Sequence, residues 1–326
     1  MTLPVRHHRA YGLCIRSEIE VPFAAEAPRG KPDLTIRTAA ALPALEESSH
    51  GRGGWRFAPD RVLLDVDGVA RYLVRNRGRE IVVAPSNGTD DQVGAFLCGP
   101  VLGACLQQRG YLTLHASAVE TEAGAVLFAG PRGIGKSTLL AALLDRGYRM
   151  LADDVSAIVV RAGGRPEVLG AFPHVRLWAD VLDRLRWNGQ ARALAEVRGA
   201  RRKWWLPVER FREAPLAVRA VCVLSAHDRD SIEMRPAPVS TAFASLVRHT
   251  YRPRLVRALG LERPRFRMVE AVVRRARVVL VRRPPEAFRL DALADRIVEF
   301  LEETPDTRGW PASPSESPRP SAPIGR

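Results

Sequence analysis

Lysine is nearly missing from this 326-residue chain: among 50 basic residues only Lys31, Lys136 and Lys203 are lysines, and the rest are arginine. Cysteine is scarce as well. Cys14, Cys98, Cys105 and Cys222 lack the paired short spacing of a zinc site and the density of a disulfide scaffold, so they read as small core hydrophobes in a reducing compartment. No run approaches the roughly 18 consecutive apolar residues that a bilayer-spanning helix needs. The first residues, Met1-Thr-Leu-Pro-Val-Arg-His-His-Arg, have no apolar signal-peptide core, and the expected location is the cytoplasm. What is present is 46% hydrophobic and 26% charged residues, the balance of a globular chain with about two domains. That excludes full-length disorder.

A formal charge of +14 raises the question of nucleic acid, because clustered cations neutralise phosphates and release counterions. Here the cations are spread along the chain and the arginine bias has a plain compositional explanation, so nucleic-acid binding is the lesser reading.

Residues 1–88 carry strand-period patterns broken by turn signals. Asp67-Gly68 sits between two apolar alternations and favours a tight hairpin turn, and Asn76-Arg-Gly78 marks a second turn before Glu80-Ile-Val-Val-Ala. The expectation is a small antiparallel β region. A linking helix is predicted over 89–110, with Asp90 and Asp91 as N-cap oxygens and a kink at Gly99-Pro100. From Tyr111 short apolar strands alternate with helices: strands over 112–119, 125–129, 150–152 and 155–160, and a helix from Lys136 to Arg146 stopped by Gly147. A further strand pair is expected from 218–225 and 231–235, with helices over 239–249 and 290–301. Residues 111–303 thus form an α/β domain, and the Pro/Ser-rich segment 304–326 is expected to be a disordered tail.

The strongest signal is Gly130-Pro131-Arg132-Gly133-Ile134-Gly135-Lys136-Ser137-Thr138. It fits G-x-x-x-x-G-K-[ST] and lies between an apolar strand and a predicted helix, the context a P-loop (Walker A) requires. The glycines let successive N–H groups face phosphate oxygens, and the head of the following helix adds to the attraction. Lys136 can bridge the β- and γ-phosphates, and the Ser137 hydroxyl suits magnesium. Seventeen and eighteen residues beyond Lys136 come Asp153 and Asp154, at a junction of two predicted strands. Two adjacent carboxylates there can divide labour, one orienting magnesium or its waters and the other accepting a proton from an attacking hydroxyl. His115, in the strand before the loop strand, can orient a carboxylate or serve as an ordinary core histidine.

His115, the P-loop and Gly147-Tyr-Arg-Met-Leu-Ala-Asp153-Asp154, in that order, resemble the catalytic domain of HPr kinase/phosphorylase, whose fold is similar to phosphoenolpyruvate carboxykinase. The match is close over roughly 110–160 and holds in outline to about 303. The resemblance implies ATP and Mg2+ as cofactors, active positions at His115 and Lys136, a magnesium position at Ser137, and a general base at Asp154, with Asp153 the alternative. Tyr11-Gly-Leu-Cys-Ile-Arg-Ser-Glu18-Ile, Gly99-Pro-Val-Leu-Gly103 and Leu114-His-Ala-Ser-Ala-Val119 are similar to HPr-kinase-related proteins encoded with ribosomally made peptides, including lasso-peptide tailoring kinases. The chain departs from the family at Pro131 and Arg132, which replace small or acidic residues, and has no counterpart of the later Pro-Gly-Arg-Asn segment. For a metal-binding glutamate after the acid pair, Glu167 is the nearest candidate.

Arg198-Gly-Ala-Arg-Arg-Lys203-Trp204-Trp205 is the densest basic cluster. It reads either as a mobile loop gripping phosphate or a peptide carboxylate, or as a surface loop with both tryptophans turned inward. Arg176 is expected in a helix lead-in, with reach to phosphate as the lesser reading, and Arg274, Arg275, Arg282 and Arg283 on charged faces. The leading expectation is an ATP-dependent kinase acting on a serine of a small protein or peptide, with no membrane partner and with a homo-oligomer left open. The competitors are a P-loop ATPase or small-molecule kinase, and a nucleotide-binding regulator without catalysis.

Overall fold

The computed structural model describes residues 5–22, 24–43, 45, 49–178, 181, 192–194, 203–284 and 290–302. The expected tail over 304–326 and the cluster residues 198–202 lie outside the described residues.

Nine strands build the N-terminal half: β1 (Arg6–Ala10), β2 (Leu13–Ser17), β3 (Ala25–Glu26), β4 (Leu34–Thr38), β5 (Ser49–His50), β6 (Trp55–Ala58), β7 (Arg61–Val66), β8 (Ala70–Arg75) and β9 (Glu80–Pro85). They form one sheet in the order β3-β1-β2-β4-β9-β8-β7-β6-β5. The expected hairpin and the expected second turn are both present: β7 and β8 close with Val66 opposite Ala70, and β8 and β9 with Arg75 opposite Glu80. Asn76, Arg77 and Gly78 all take positive φ in the second turn. The sheet is larger than expected and is not purely antiparallel, because β2 runs parallel to β4 and β4 parallel to β9. Parallel neighbours are joined by crossovers, which leave no local turn signature.

The linking segment is α1 (Asp90–Phe96), a π-helical turn Leu97–Val101 and α2 (Leu102–Gln108). The N-cap is Thr89 rather than Asp90 or Asp91: its side chain accepts from the Gln92 N–H at 3.3 Å while Gln92 Oε1 accepts from the Thr89 N–H at 3.0 Å. This reciprocal box satisfies two end donors, and the two aspartates fall in the first turn, where they face the positive helix end. The Gly99-Pro100 irregularity takes the form of the π turn. Pro100 has no N–H to give, and the ladder widens around it.

The second half contains β10 (Leu112–Leu114), β11 (Ala116–Thr121), β12 (Gly124–Ala129), α3 (Lys136–Asp145), β13 (Arg149–Ala152), β14 (Ser156–Val160), β15 (Pro166–Val168), β16 (His174–Trp178), β17 (Arg192–Leu194), β18 (Lys203–Pro207), β19 (Leu216–Ala226), β20 (Glu233–Pro236) and β21 (Arg277–Arg283). The chain is mixed α/β. Its second sheet runs β10-β14-β15-β19-β12-β11-β13, with β21 and β20 branching from β19. The expected pairing across His227–Asp230 is not made: β20 pairs with β21, which lies parallel along β19. The single strand expected over 112–119 is two strands, broken at His115.

Helix α3 is apolar around most of its circumference because it is covered on both sides, by the sheet and by the C-terminal helix Leu290–Glu302. Leu139, Leu140, Leu143 and Leu144 join Phe128, Cys222, Leu293 and Ile297 in one buried cluster. It stops as Gly147 allows: the Gly147 N–H donates to Leu144 O at 3.0 Å and the Tyr148 N–H to Leu143 O at 3.1 Å, with Gly147 at φ +94°. A separate, larger core is continuous from Ile15 and Tyr72 of the first sheet through Leu97 and Leu102 of the linker to Leu127 and Val221 of the second. All four cysteines are free, and burial pushes the thiols of Cys105 and Cys222 up to about 12. Among the described residues no helix is long and apolar enough to cross a membrane.

Candidate active site

Strand register brings the sequence-predicted residues together. β12 runs antiparallel to β11, with Ala129 opposite Ala116, so the loop leaving β12 starts beside the His115 break. β13 lies on the other side of β11, with Ala152 opposite Ala118. The next residue, Asp153, therefore emerges beside Ser117, and the three segments share one end of the sheet.

In the loop, Gly133 and Gly135 take φ of +83° and +94°, the left-handed region in which an added Cβ is strained. Gly135 is the N-cap of α3 and supplies no side-chain cap, which leaves the first-turn amides turned toward the loop. The Lys136 ammonium folds back on the loop, donating to Gly130 O and Pro131 O, each at 3.0 Å. Pro131 and Arg132 are exposed at the tip, and Ile134, Ser137 and Thr138 are half-buried.

The acid pair splits into two environments. Asp153 Oδ1 accepts from the Ser137 hydroxyl at 2.9 Å and from the Ser117 hydroxyl at 2.7 Å, and its Oδ2 accepts from the Arg176 backbone N–H at 3.0 Å. Asp154 sits at φ +68°, a conformation Asp tolerates better than most side chains. Its Oδ2 is paired with the Arg176 guanidinium, and its Oδ1 lies 3.3 Å from His115 Nδ1. The same nitrogen is 3.0 Å from the Asp154 carbonyl oxygen. Arg176 is held in turn by the Trp205 ring, 5.7 Å below its guanidinium carbon, and Trp205 is stacked on His174 with centroids 4.2 Å apart. Burial first, and then the Arg176 charge, hold His174 well below the usual imidazole range.

Ser117 and Arg283 escape the sequence expectations, and Arg176 enters the site otherwise than expected. Ser117 has no expected role, although it lies within the Leu114–Val119 segment, two residues from His115 on the adjoining strand. Arg176 lies in β16, not in a helix lead-in, and the alternation His174-Val-Arg-Leu-Trp178, with Val175 and Leu177 buried, is the signal that identifies the strand. Arg283 is not on a charged face: it is 7% exposed and its guanidinium donates to Ile134 O at 2.6 Å and Pro284 O at 2.8 Å. Desolvation lowers its pKa. It reaches the loop because β21 ends beside β19, which is parallel to the loop strand. Glu167 does not join the site; it pairs with Arg161 at 3.0 Å on β15. Of the two tryptophans expected to turn inward, Trp205 is buried and Trp204 half-buried.

The donor set is compatible with a magnesium–nucleotide. Ser137 and Asp153 offer hard oxygens side by side, and no group of three or more metal-ligating side chains occurs among the described residues. Magnesium bound with a nucleotide takes one or two protein oxygens and completes its shell from phosphates and water.

No family model matches the chain. Over 64 residues it is 36% identical to an HPr kinase/phosphorylase of Caldanaerobacter subterraneus subsp. tengcongensis, a match covering 20% of this chain and 20% of that protein. The chain thus spans about a fifth of the curated relative it matches. The HPr(Ser) kinase/phosphatase of Coxiella burnetii aligns in structure over 59% of this chain and 91% of that one, at 14% identity and a TM-score of 0.32, a score too low to carry the fold. Over the matched fifth, the chain is similar in sequence to the family that its loop and acid-pair motifs resemble.

Proposed function

We propose that this chain is an ATP-dependent, HPr-kinase-like enzyme that transfers the γ-phosphoryl group to a serine hydroxyl of a small protein or ribosomally made peptide. The observation that carries this reading is the convergence of the loop serine and both aspartates: Ser137 on Asp153 at 2.9 Å, with Asp154 next in sequence and tied to His115 and Arg176. The loop amides and Lys136 bind the triphosphate, the lysine exchanging the carbonyls of Gly130 and Pro131 for phosphate oxygens. Ser137 and Asp153 hold Mg2+, which when bound neutralises charge on the phosphates. Asp154 accepts the hydroxyl proton, and His115 and Arg176 fix the direction in which its carboxylate points. The surrounding fold under this reading is that of the HPr kinase/phosphoenolpyruvate carboxykinase type, and its place of action is the cytoplasm.

The test is incubation with MgATP, alone and with a serine-containing precursor peptide or carrier protein encoded nearby, read by intact mass. A gain of one phosphoryl mass on the acceptor, abolished by Lys136→Ala, is expected. Phosphate release with no acceptor modified would mean an ATPase, and nucleotide binding without turnover a regulator.

A further inference from the structure

Basic residues occur along the whole chain, but the excess of positive over negative charge does not: between Arg248 and Arg275 the sequence holds nine arginines against two glutamates, half of the chain's net charge of +14. This segment forms three helices, Val239–Arg248, Pro253–Ala258 and Glu262–Arg275. The two glutamates are engaged, Glu262 by Arg257 at 3.8 Å and Glu270 by Arg274 at 2.8 Å. Arg248, Arg254, Arg263 and Arg267 stand exposed. Arg263 and Arg267 are four apart and so share one face of the last helix.

Phe266, three residues after Arg263 and so its neighbour on the helix, is 44% exposed, one of three large hydrophobic side chains exposed among the described residues; Val239, 74% exposed at the start of the first helix, is another. Phe243 stacks on Phe266 with centroids 5.3 Å apart, joining the two helices, and the Arg265 guanidinium lies 5.5 Å over the same ring. The ring therefore offers its edge outward. An edge suits an aliphatic or aromatic side chain but gives an unstacked nucleobase no platform.

This surface runs into the candidate site. The His115 N–H donates to His249 O at 2.8 Å, and the Tyr251 N–H donates to Thr113 O at 2.8 Å, so the end of the first helix is stapled to the strand break that carries His115. Arg248 and Lys136 both act on His249, which desolvation and these charges hold at a pKa of about 4. Arg248 of the helices and Lys136 of the loop thus both stand close enough to act on one imidazole.

We propose that the face made by Arg248, Arg254, Arg263, Arg267 and the edge of Phe266 docks an acidic segment of the polypeptide that bears the acceptor hydroxyl. The proposal rests on the kinase reading. Carboxylates of the segment pair with the arginine forks, an apolar side chain meets Phe266, and the chain continues past His249 toward Asp154. Charge complementarity of this kind speeds encounter and excludes basic partners.

Fluorescence anisotropy, with no nucleotide present, would follow a labelled Glu-rich peptide containing one serine, its Gln-for-Glu counterpart, and a single-stranded oligothymidylate of matching charge. The expected result is binding of the Glu peptide that weakens with salt, little binding of the Gln peptide, and a loss of at least about tenfold in R263E/R267E but not in the control R29E/R77E. Equal losses in the two variants, or no loss in R263E/R267E, would overturn the surface. Preferential binding of the oligothymidylate, lost in R263E/R267E, would overturn it in favour of nucleic acid. Circular dichroism of both variants guards against misfolding, and R263Q/R267Q gives the same test with a smaller perturbation. Binding of the Glu peptide as expected, with no phosphoryl transfer from MgATP to any acceptor, would sink the kinase reading while leaving the docking face standing.

Discussion

Ser137 and Asp153, sixteen residues apart, share a hydrogen bond of 2.9 Å that ties the head of the loop helix to the end of β13. A hydroxyl and a carboxylate so placed are adjacent hard-oxygen donors suited to the proposed Mg2+, and Ser117 holds the same carboxylate oxygen from the neighbouring strand at 2.7 Å. Asp153→Asn is expected to raise the Mg2+ concentration needed for half-maximal transfer by about tenfold or more, and Ser117→Ala by less. Titration of activity against Mg2+ at saturating ATP checks this; an unchanged requirement in Asp153→Asn would move the metal elsewhere.

Asp154 is the residue whose chemistry and backbone separate most cleanly. Asn tolerates positive φ as Asp does, so Asp154→Asn keeps the turn and removes the proposed base. Transfer should fall by about 10² to 10⁴ while ATP affinity stays within about twofold. Calorimetric ATP binding beside the transfer rate checks it, and a parental rate in this variant would reassign the proton acceptor.

Arg176 faces Asp154 with about a fifth of its side chain exposed and its guanidinium over Trp205. Removing one partner of a largely buried pair leaves the other uncompensated, so Arg176→Ala should cost roughly 3 kcal/mol of stability. Arg176→Lys keeps the charge and loses the fork. It should retain most of the stability and shift the acid limb of the pH–rate profile, a change that a merely structural role for Arg176 would not produce.

Arg283 anchors the loop through Ile134 O at 2.6 Å. Arg283→Lys should loosen that carbonyl and weaken ATP binding by several-fold, with a smaller effect on the transfer rate at saturating ATP. A rate loss with unchanged ATP affinity would place Arg283 closer to the reacting phosphate than to the loop.

Acid should destabilise the fold through His249. Its pKa is lowered to about 4, by desolvation first and then by Arg248, Lys136 and His115, from 6.5 in the unfolded chain. The unfolded state therefore binds the extra proton as pH falls from about 6.5 to about 4, and stability is lost across that window while remaining constant above it. His249→Gln should flatten the part of the fall in Tm that lies between those limits; an unchanged slope would assign it to the carboxylates.

The loop and acid pair were legible because their signals are local: a nine-residue glycine pattern between strand and helix, and two adjacent aspartates at a strand end. Helix α3 and its Gly147 stop follow from the same short-range chemistry. Ser117 and Arg283 were not legible, and Arg176 only as a residue that could reach phosphate, since each enters the site through strand pairing across dozens of residues, and an arginine in an arginine-rich chain gives no contrast. The parallel pairs β2–β4 and β4–β9 were hidden for a related reason, as hairpin turns announce antiparallel neighbours alone. Thr89 displaced Asp90 and Asp91 as cap because Gln92 completes its box, a three-residue spacing that two conspicuous aspartates obscure.

Tyr11, at the β1–β2 turn, donates its N–H to Gly170 O at 2.7 Å and its hydroxyl to Val155 O at 3.3 Å, one residue past Asp154. The front sheet is thereby a buttress for the acidic corner. Trimming the first eighty-odd residues to obtain a minimal enzyme would strip away the wall against which that corner is braced, and limited proteolysis of the intact protein should show the two halves surviving or succumbing together.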